Sequence, residues 1–281
     1  MKWNKSMLRS LINSLFAFLL TLLSVTLILC AGFSVGLFSN KSIIKAINQS
    51  NYYNNVYQEL SSHMEDVVTA AGLPSSVLTD VITLERVYIG GKNYVDSALR
   101  GEEAVIKTDK LQEQLMNNIN LYVQNEDIIQ SEDLNSGITK VISVVEAEYK
   151  DAIQLQFVND IVEYRLQYHH LIRILVPIVI VLIGILCYFL LRMQKYIHKG
   201  VRYIVYALMA SSLMTMIVSF YLVITKPYAG MNVLPDYYKK FISAYLHWDL
   251  MIFIYIGGIG LTISIALISL ISYLKNGIKN N

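Results

Sequence analysis

The sequence predicts an all-α integral membrane protein that has four transmembrane helices, with an all-helical extracytoplasmic domain inserted between the first and second of them. Three observations predict this fold class. Apolar residues make up 54% of the 281 residues and mean hydropathy is +0.45, values far from those of soluble or disordered chains. Four runs are apolar over the roughly 20 residues that a helix needs to cross a bilayer core. Every acidic residue lies between Glu59 and Asp249, and the segments outside that stretch are basic.

The four apolar runs divide the chain into spans and connecting segments. A spanning segment must be helical, because only a helix satisfies its own backbone hydrogen bonds in hydrocarbon. The first run carries a basic start but no small-residue cleavage site, so we expect a retained anchor and not a removed signal peptide. The predicted order is an N-terminus at 1–10, a first span at 11–38, a large domain at 39–173, a second span at 174–191, a basic turn at 192–202, a third span at 203–225, a loop at 226–249, a fourth span at 250–274 and a C-terminus at 275–281.

The basic residues orient these spans in a cell membrane. Short basic segments stay on the cytoplasmic side, whereas acidic residues have little influence on orientation. We therefore predict a multi-pass plasma-membrane protein with both termini and the turn 192–202 in the cytoplasm and residues 39–173 outside. The cations that carry this prediction are Lys2, Lys5, Arg9, Arg192, Lys195, Lys199, Arg202, Lys275 and Lys279.

Residues 39–173 are predicted to contain helices because their apolar residues recur at helical spacing. Asn51, Thr83 and Thr108 are candidate N-caps, and Gly101 is a candidate helix stop. The last helix has no breaker before Pro177, which leaves two alternatives: one helix that continues into the second span, or a bend near His169. The first two predicted helices run from 51 to 71 and from 83 to 100. A third begins at 108 and has apolar positions as far as Tyr122, and the apolar positions from Ile138 to Phe157 mark a fourth.

Small residues recur at helical spacing inside three of the spans. Small side chains let helix backbones approach closely, and Ser or Thr hydroxyls can hydrogen-bond across the contact. Packing within a four-helix bundle explains such stripes, and a dimerisation or gating face is the functional alternative. The predicted packing residues are Gly32 and Gly36 in the first span, Ala207, Ser211, Thr215 and Ser219 in the third, and Gly258, Thr262 and Ala266 in the fourth.

One group of titratable residues falls at the predicted outer ends of the spans. His170 precedes the second span, and His247 and Asp249 precede the fourth. Imidazole and carboxylate together can bind a metal such as Zn²⁺ or respond to pH. The alternative is a belt of unrelated interfacial side chains, which we favour because no metal motif of fixed spacing is present.

Catalytic motifs are missing from the sequence: it has no H-E-x-x-H, G-x-S-x-G, C-x-x-C or Walker A pattern. The centres of the spans carry no charge, which disfavours a transporter that moves ions through buried ionisable groups. No basic patch interleaves with aromatic residues outside the membrane flanks, so nucleic acid is not an expected partner. We expect neither a cofactor nor catalytic residues.

Three functions remain as alternatives. The favoured one is a non-enzymatic membrane protein whose extracytoplasmic domain binds a partner protein or an envelope component, with a homo-oligomer also possible. The second is a transport subunit: the order of one span, a large outer domain and three further spans resembles the permeases of MacB- and FtsX-type ABC systems, and that resemblance implies a separate ATPase as partner. The third is an outer-leaflet enzyme that uses the His170, His247 and Asp249 group.

Overall fold

The computed structural model describes residues 5–127, 131–194, 196–230 and 235–279, and all regular secondary structure in these ranges is helical. Two 3₁₀ turns, Ser75–Leu78 and Pro227–Gly230, accompany the α-helices. The α-helices are α1 (Lys5–Val35), α2 (Asn40–Gln49), α3 (Tyr52–Ala70), α4 (Leu84–Arg100), α5 (Asp109–Asn125), α6 (Glu132–Ile153), α7 (Gln156–Arg192), α8 (Ile197–Thr225) and α9 (Asp236–Lys279).

Four stretches of helix are long and apolar enough to cross a membrane, and each contains one of the predicted spans almost completely. The all-α fold and the presence of four candidate spans are thereby confirmed. The stretches are Arg9–Val35, Phe157–Arg192, Ile197–Gly230 and Asp236–Ser269.

The chain divides into two compact units. The apolar unit consists of residues Met1–Ala46, Arg165–Asn232 and Ile242–Asn281, and the helical unit consists of Ile47–Tyr164 and Val233–Phe241.

In the apolar unit, α1 packs along α8. Leu20, Leu190 and Ala207 form a buried cluster that joins α1, α7 and α8. The link between α7 and α8 is tight because the backbone of Gly200 lies against the backbone of Leu190 and Leu191, where a Cβ atom would come within 2.9 Å. This link is shorter than the predicted turn 192–202, and Lys195 lies outside the described residues.

The helical unit has a core of its own, built from one face of each of α3 to α6. Each of these helices buries apolar residues three or four positions apart, which is the spacing that predicted them. The fully buried members of this core include Val56, Met64, Val68, Leu111, Leu115, Ile119, Val145 and Tyr149. The first two turns of α9 add Tyr237 and Phe241, whose ring centroids lie 5.5 and 5.7 Å from that of Tyr52.

Two of the predicted caps differ from the structure. Thr83 caps α4 as predicted, by accepting a hydrogen bond from the Arg86 backbone N–H at 3.2 Å, and Gly101 ends that helix with φ of 73°. Asn51 precedes α3, but with φ of 50° its side chain makes no capping bond. Thr108 precedes α5, but its hydroxyl instead donates to the Glu146 carboxylate at 2.8 Å.

The connection into the second span follows neither predicted alternative. The last helix of the helical unit, α6, ends at Ile153, and α7 begins afresh at Gln156 and continues to Arg192 through Pro177. Gln154 adopts an extended conformation with ψ of 110°, and Leu155 is fully buried. The burial of Leu155 accounts for a break that no glycine or proline marks in the sequence.

The loop at 226–249 is also shorter than predicted. The 3₁₀ turn Pro227–Gly230 follows α8, and α9 is already helical at Asp236. Residues 231–234 lie outside the described ranges. Pro235 begins the last described range, one residue before α9, where its missing N–H costs nothing.

Candidate functional sites

The described residues do not bring the candidate His170, His247 and Asp249 group together as a metal site. Among the described residues, no group of three His, Cys, Asp or Glu side chains could hold a metal ion. The ring Nδ1 of His247 lies 3.1 Å from the Tyr228 hydroxyl, whereas Asp249 faces Gly36, the residue that follows α1. His170 is exposed on α7. The physical reason is helical geometry, because residues two positions apart point about 200° away from each other.

Gly32 in α1 and Gly36, the residue that follows this helix, make the close approach that small residues permit. A Cβ atom on Gly32 would collide with the Phe253 ring, and one on Gly36 would collide with the Asp249 carboxylate. The two glycines are four residues apart, as are Phe253 and Asp249, so each pair forms one helical face. Phe33 also meets Phe253 edge to face, with ring centroids 5.2 Å apart. These contacts place the predicted G-x-x-x-G at a packing interface between α1 and α9.

The small residues of α8 are buried as a set. Each of them lies on the single face that turns toward the rest of the apolar unit. The set is Ala207, Ser211, Thr215 and Ser219.

The small residues predicted to pack on α9 lie on a different face of that helix from the face that contacts α8. Thr262 and Ala266 are exposed, and a Cβ atom on Gly258 would meet nothing within 4 Å. The close contacts with Ser212 and Met216 of α8 come instead from Gly257 and Gly260. The sequence contains two sets of small residues about 100° apart on this helix, and only the fold selects between them.

The helical unit contains an acidic pocket of about 360 Å³, a volume within the range of small-ligand sites. It lies between α3, the 3₁₀ turn Ser75–Leu78 and the segment that leads into α4. Its lining residues are Tyr57, Ser61, Glu65, Ser75, Leu78, Thr79, Asp80, Ile82, Thr83 and Leu84.

Side chains from α4 and α5 hydrogen-bond to the backbone of residues 77–81, the segment beside this pocket. The Asn118 amide donates to the carbonyls of Val77 and Thr79, both at 2.8 Å. The Arg86 guanidinium donates to the carbonyl of Asp80 at 3.3 Å and to that of Val81. The Arg86 guanidinium therefore binds backbone carbonyl oxygens and not a carboxylate of any described residue. Neither Glu65 nor Asp80, the two carboxylates that line the pocket, has an ion pair among the described residues.

The pocket contains one buried hydroxyl without a partner in the described part of the chain and one acidic residue in a left-handed turn. The Ser61 hydroxyl is buried and has no hydrogen-bond partner among the described atoms. Asp80 has φ of 58°, a left-handed conformation that only a few per cent of non-glycine residues adopt. Asp tolerates this conformation, and the turn around Asp80 is closed by the Val81 N–H, which donates to the Leu78 carbonyl at 3.0 Å. The features of this pocket that suit a cationic ligand are its two carboxylates, Glu65 and Asp80, which have no ion pair among the described residues.

Sequence reasoning missed this pocket, because its residues come from three segments and fit no motif. The only sequence signal was the density of acidic residues. The helical unit carries 20 acidic and 9 basic residues, a net charge of −11. The apolar unit carries 14 basic residues and a single acidic one, Asp249.

Comparisons with family models, with curated proteins and with solved structures give no match to this chain. The function therefore has to be argued from the geometry and charge of the sites themselves.

Proposed function

We propose that this chain is a multi-pass membrane protein whose helical unit lies outside the cytoplasm and binds a basic polypeptide segment. The acidic pocket of the helical unit is the observation that carries the proposal. The membrane spans anchor this binding unit and orient it toward its partner.

The charge of the helical unit supports a cationic partner. A net charge of −11 attracts basic segments at low salt and raises their association rate. Glu65 and Asp80 then provide local acceptors, since a carboxylate can take two parallel hydrogen bonds from an arginine side chain.

The surface beside the pocket supports a polypeptide over a small cation. Leu84 lines the pocket and is exposed, and Tyr88 is exposed one helical turn further along α4. Tyr53 holds the Tyr88 ring edge to face, with centroids 5.3 Å apart. An exposed apolar strip next to carboxylates suits a peptide that alternates basic and apolar side chains.

A peptide titration tests the binding. The full chain in neutral-lipid nanodiscs is titrated with a fluorescein-labelled peptide of alternating Arg and Leu, and the anisotropy is measured at two salt concentrations. We expect saturable, salt-weakened binding that drops about tenfold in the double variant Glu65→Gln and Asp80→Asn, because a charged hydrogen bond contributes roughly 1.5–3 kcal/mol.

The matched control removes two negative charges elsewhere in the same unit. Glu113→Gln with Glu126→Gln changes exposed residues of the α5 region and should leave the affinity within about twofold. Equal weakening by both double variants would mean that total charge matters and the pocket does not, and the proposal would fail.

Cysteine labelling tests the orientation. Single cysteines at Asn135 and at Gln194, in a background without Cys30 and Cys187, are treated with a membrane-impermeant maleimide on whole cells. We expect Asn135 to label directly and Gln194 to label only after permeabilisation, since the basic segments stay in the cytoplasm. Labelling in the reverse order would place the helical unit inside the cell.

The permease alternative receives less support from the geometry. Only residues 193–196 separate α7 from α8, and this connection is on the predicted cytoplasmic side. The segment between α8 and α9 is on the predicted outer side, where it cannot contact a cytoplasmic ATPase. The predicted cytoplasmic surface therefore offers little structure with which to engage a separate ATPase.

A further inference from the structure

Asp249 is the single acidic residue of the apolar unit, and it is buried. Only 5% of its surface is exposed, although it lies on α9 within a candidate span. A buried carboxylate is costly unless it is paired with a cation or fully hydrogen-bonded. Its surroundings therefore indicate what it is for.

The protein provides hydrogen-bond donors for only part of this carboxylate. The Leu37 backbone N–H donates one hydrogen bond to it. Its Oδ1 atom has no hydrogen-bond partner, and no described Lys, Arg or His lies within ion-pair distance. On the neighbouring α2, the Lys45 ammonium lies over the Trp248 ring, 2.9 Å from its centroid.

The position of the carboxylate makes a cation more favourable still. Asp249 lies against Gly36, directly after the last residue of α1. The C-terminus of a helix carries a partial negative charge, so a carboxylate is destabilised there and a cation is stabilised.

The carboxylate also lines a cavity. About 340 Å³ of space lies between α1, α8 and α9, and its walls are apolar apart from Asp249, Thr215 and Ser219. On α1 the lining extends from Val25 to Phe33, about 12 Å at 1.5 Å per residue. The remaining lining residues are Leu29, Met214, Val218, Leu222, Leu250 and Phe253.

We propose that this cavity binds the ammonium-bearing end of an aliphatic chain. Asp249 is the counter-ion of the ammonium group, Thr215 and Ser219 line the same cavity, and the apolar walls hold the first part of the chain. Such a ligand supplies one positive charge beside both the Asp249 carboxylate, which lines the cavity, and the end of α1. This site is independent of the peptide-binding pocket in the helical unit.

Fluorescence of Trp248 provides the readout, because this residue is adjacent to Asp249 in the chain. Trp3→Phe removes the other tryptophan of the chain. The full chain in phosphatidylcholine nanodiscs is titrated with dodecylamine, and in parallel with dodecanol and dodecanoic acid. We expect a saturable change in Trp248 fluorescence with dodecylamine, and an affinity at least tenfold weaker for dodecanol and dodecanoic acid. In Asp249→Asn the affinity for dodecylamine should fall by about tenfold to a hundredfold.

Two further variants separate the site from general effects. Val218→Trp partly fills the cavity from an exposed position on α8 and should weaken dodecylamine binding. Asp236→Asn makes the same chemical change at an exposed position of α9 and should not. Saturable binding that is equal for dodecanol, or that survives Asp249→Asn unchanged, would overturn the proposal, as would the absence of saturable dodecylamine binding.

Discussion

Each of the two units of this chain is stabilised internally by a different kind of contact. The helical unit buries large side chains such as Met64, Leu115 and Tyr149, and its surface is strongly acidic. The apolar unit is held at its tightest points by residues with little or no side chain, such as Gly32 and Gly36.

This difference in packing follows from the surroundings to which the composition of each unit is suited, water for the helical unit and lipid for the apolar unit. In water, burying large apolar side chains drives folding, so a core of Leu, Ile and Tyr is effective. In a bilayer the lipid chains are as apolar as leucine, so helices gain mainly from close backbone packing. The comparison also explains why polar groups are tolerated so differently, since the helical unit carries 20 acidic residues and the apolar unit one.

The largest expected effect comes from truncating the core of the helical unit. Leu115 is fully buried, so Leu115→Ala should lower the free energy of unfolding of that unit by about 2–5 kcal/mol through lost burial and the remaining cavity. Urea-dependent proteolysis of the full chain in nanodiscs measures this loss. Leu121→Ala on the same helix, at a residue 58% exposed, is the control and should change the stability by less than about 0.5 kcal/mol.

Enlarging a glycine should damage the apolar unit instead. Gly32→Leu forces a side chain into the Phe253 ring and should destabilise the α1–α9 contact by about 1–3 kcal/mol, measured by thermal unfolding in detergent. Gly184→Leu on α7 is the matched control, because a Cβ atom there meets nothing within 4 Å. Equal melting temperatures for the two variants would contradict the idea that close backbone approach holds this unit.

A smaller effect is expected at the Glu146 network of the helical unit. Lys150, Thr108 and Gln112 donate to this carboxylate, and together they lower the pKa of Glu146. A lowered pKa in the folded state contributes stability above the unfolded pKa of about 4.3, and this contribution disappears as the pH falls through the folded pKa.

The variant Glu146→Gln should therefore cost about 1–2 kcal/mol at pH 7 and less at acidic pH, where the contribution of the ionised carboxylate shrinks because the unfolded chain is protonated at this residue. Unfolding by urea at pH 7 and at pH 3 measures the difference. Glu113→Gln is the control, since this residue is exposed. A loss in Glu146→Gln that is the same at both pH values would show that shape, and not charge, stabilises this network.

The sites were predicted less completely than the fold. The G-x-x-x-G of α1 and the small residues of α8 lie in contacts because helical spacing alone places them on one face. His247 and Asp249 were grouped because both precede the fourth span at its predicted outer end, but the helix turns them apart. The acidic pocket and the Asp249 cavity could not be predicted, since their residues come from segments that are distant in sequence.

The sequence alone determined that this chain is helical and where its four apolar helices lie, because hydropathy and helical spacing are properties of neighbouring residues. The tertiary structure decided the break at Gln154 and Leu155, the face by which α9 packs, and the residues that share a cavity. These features depend on which distant segments meet, and the pattern of a single segment contains no information about its partner.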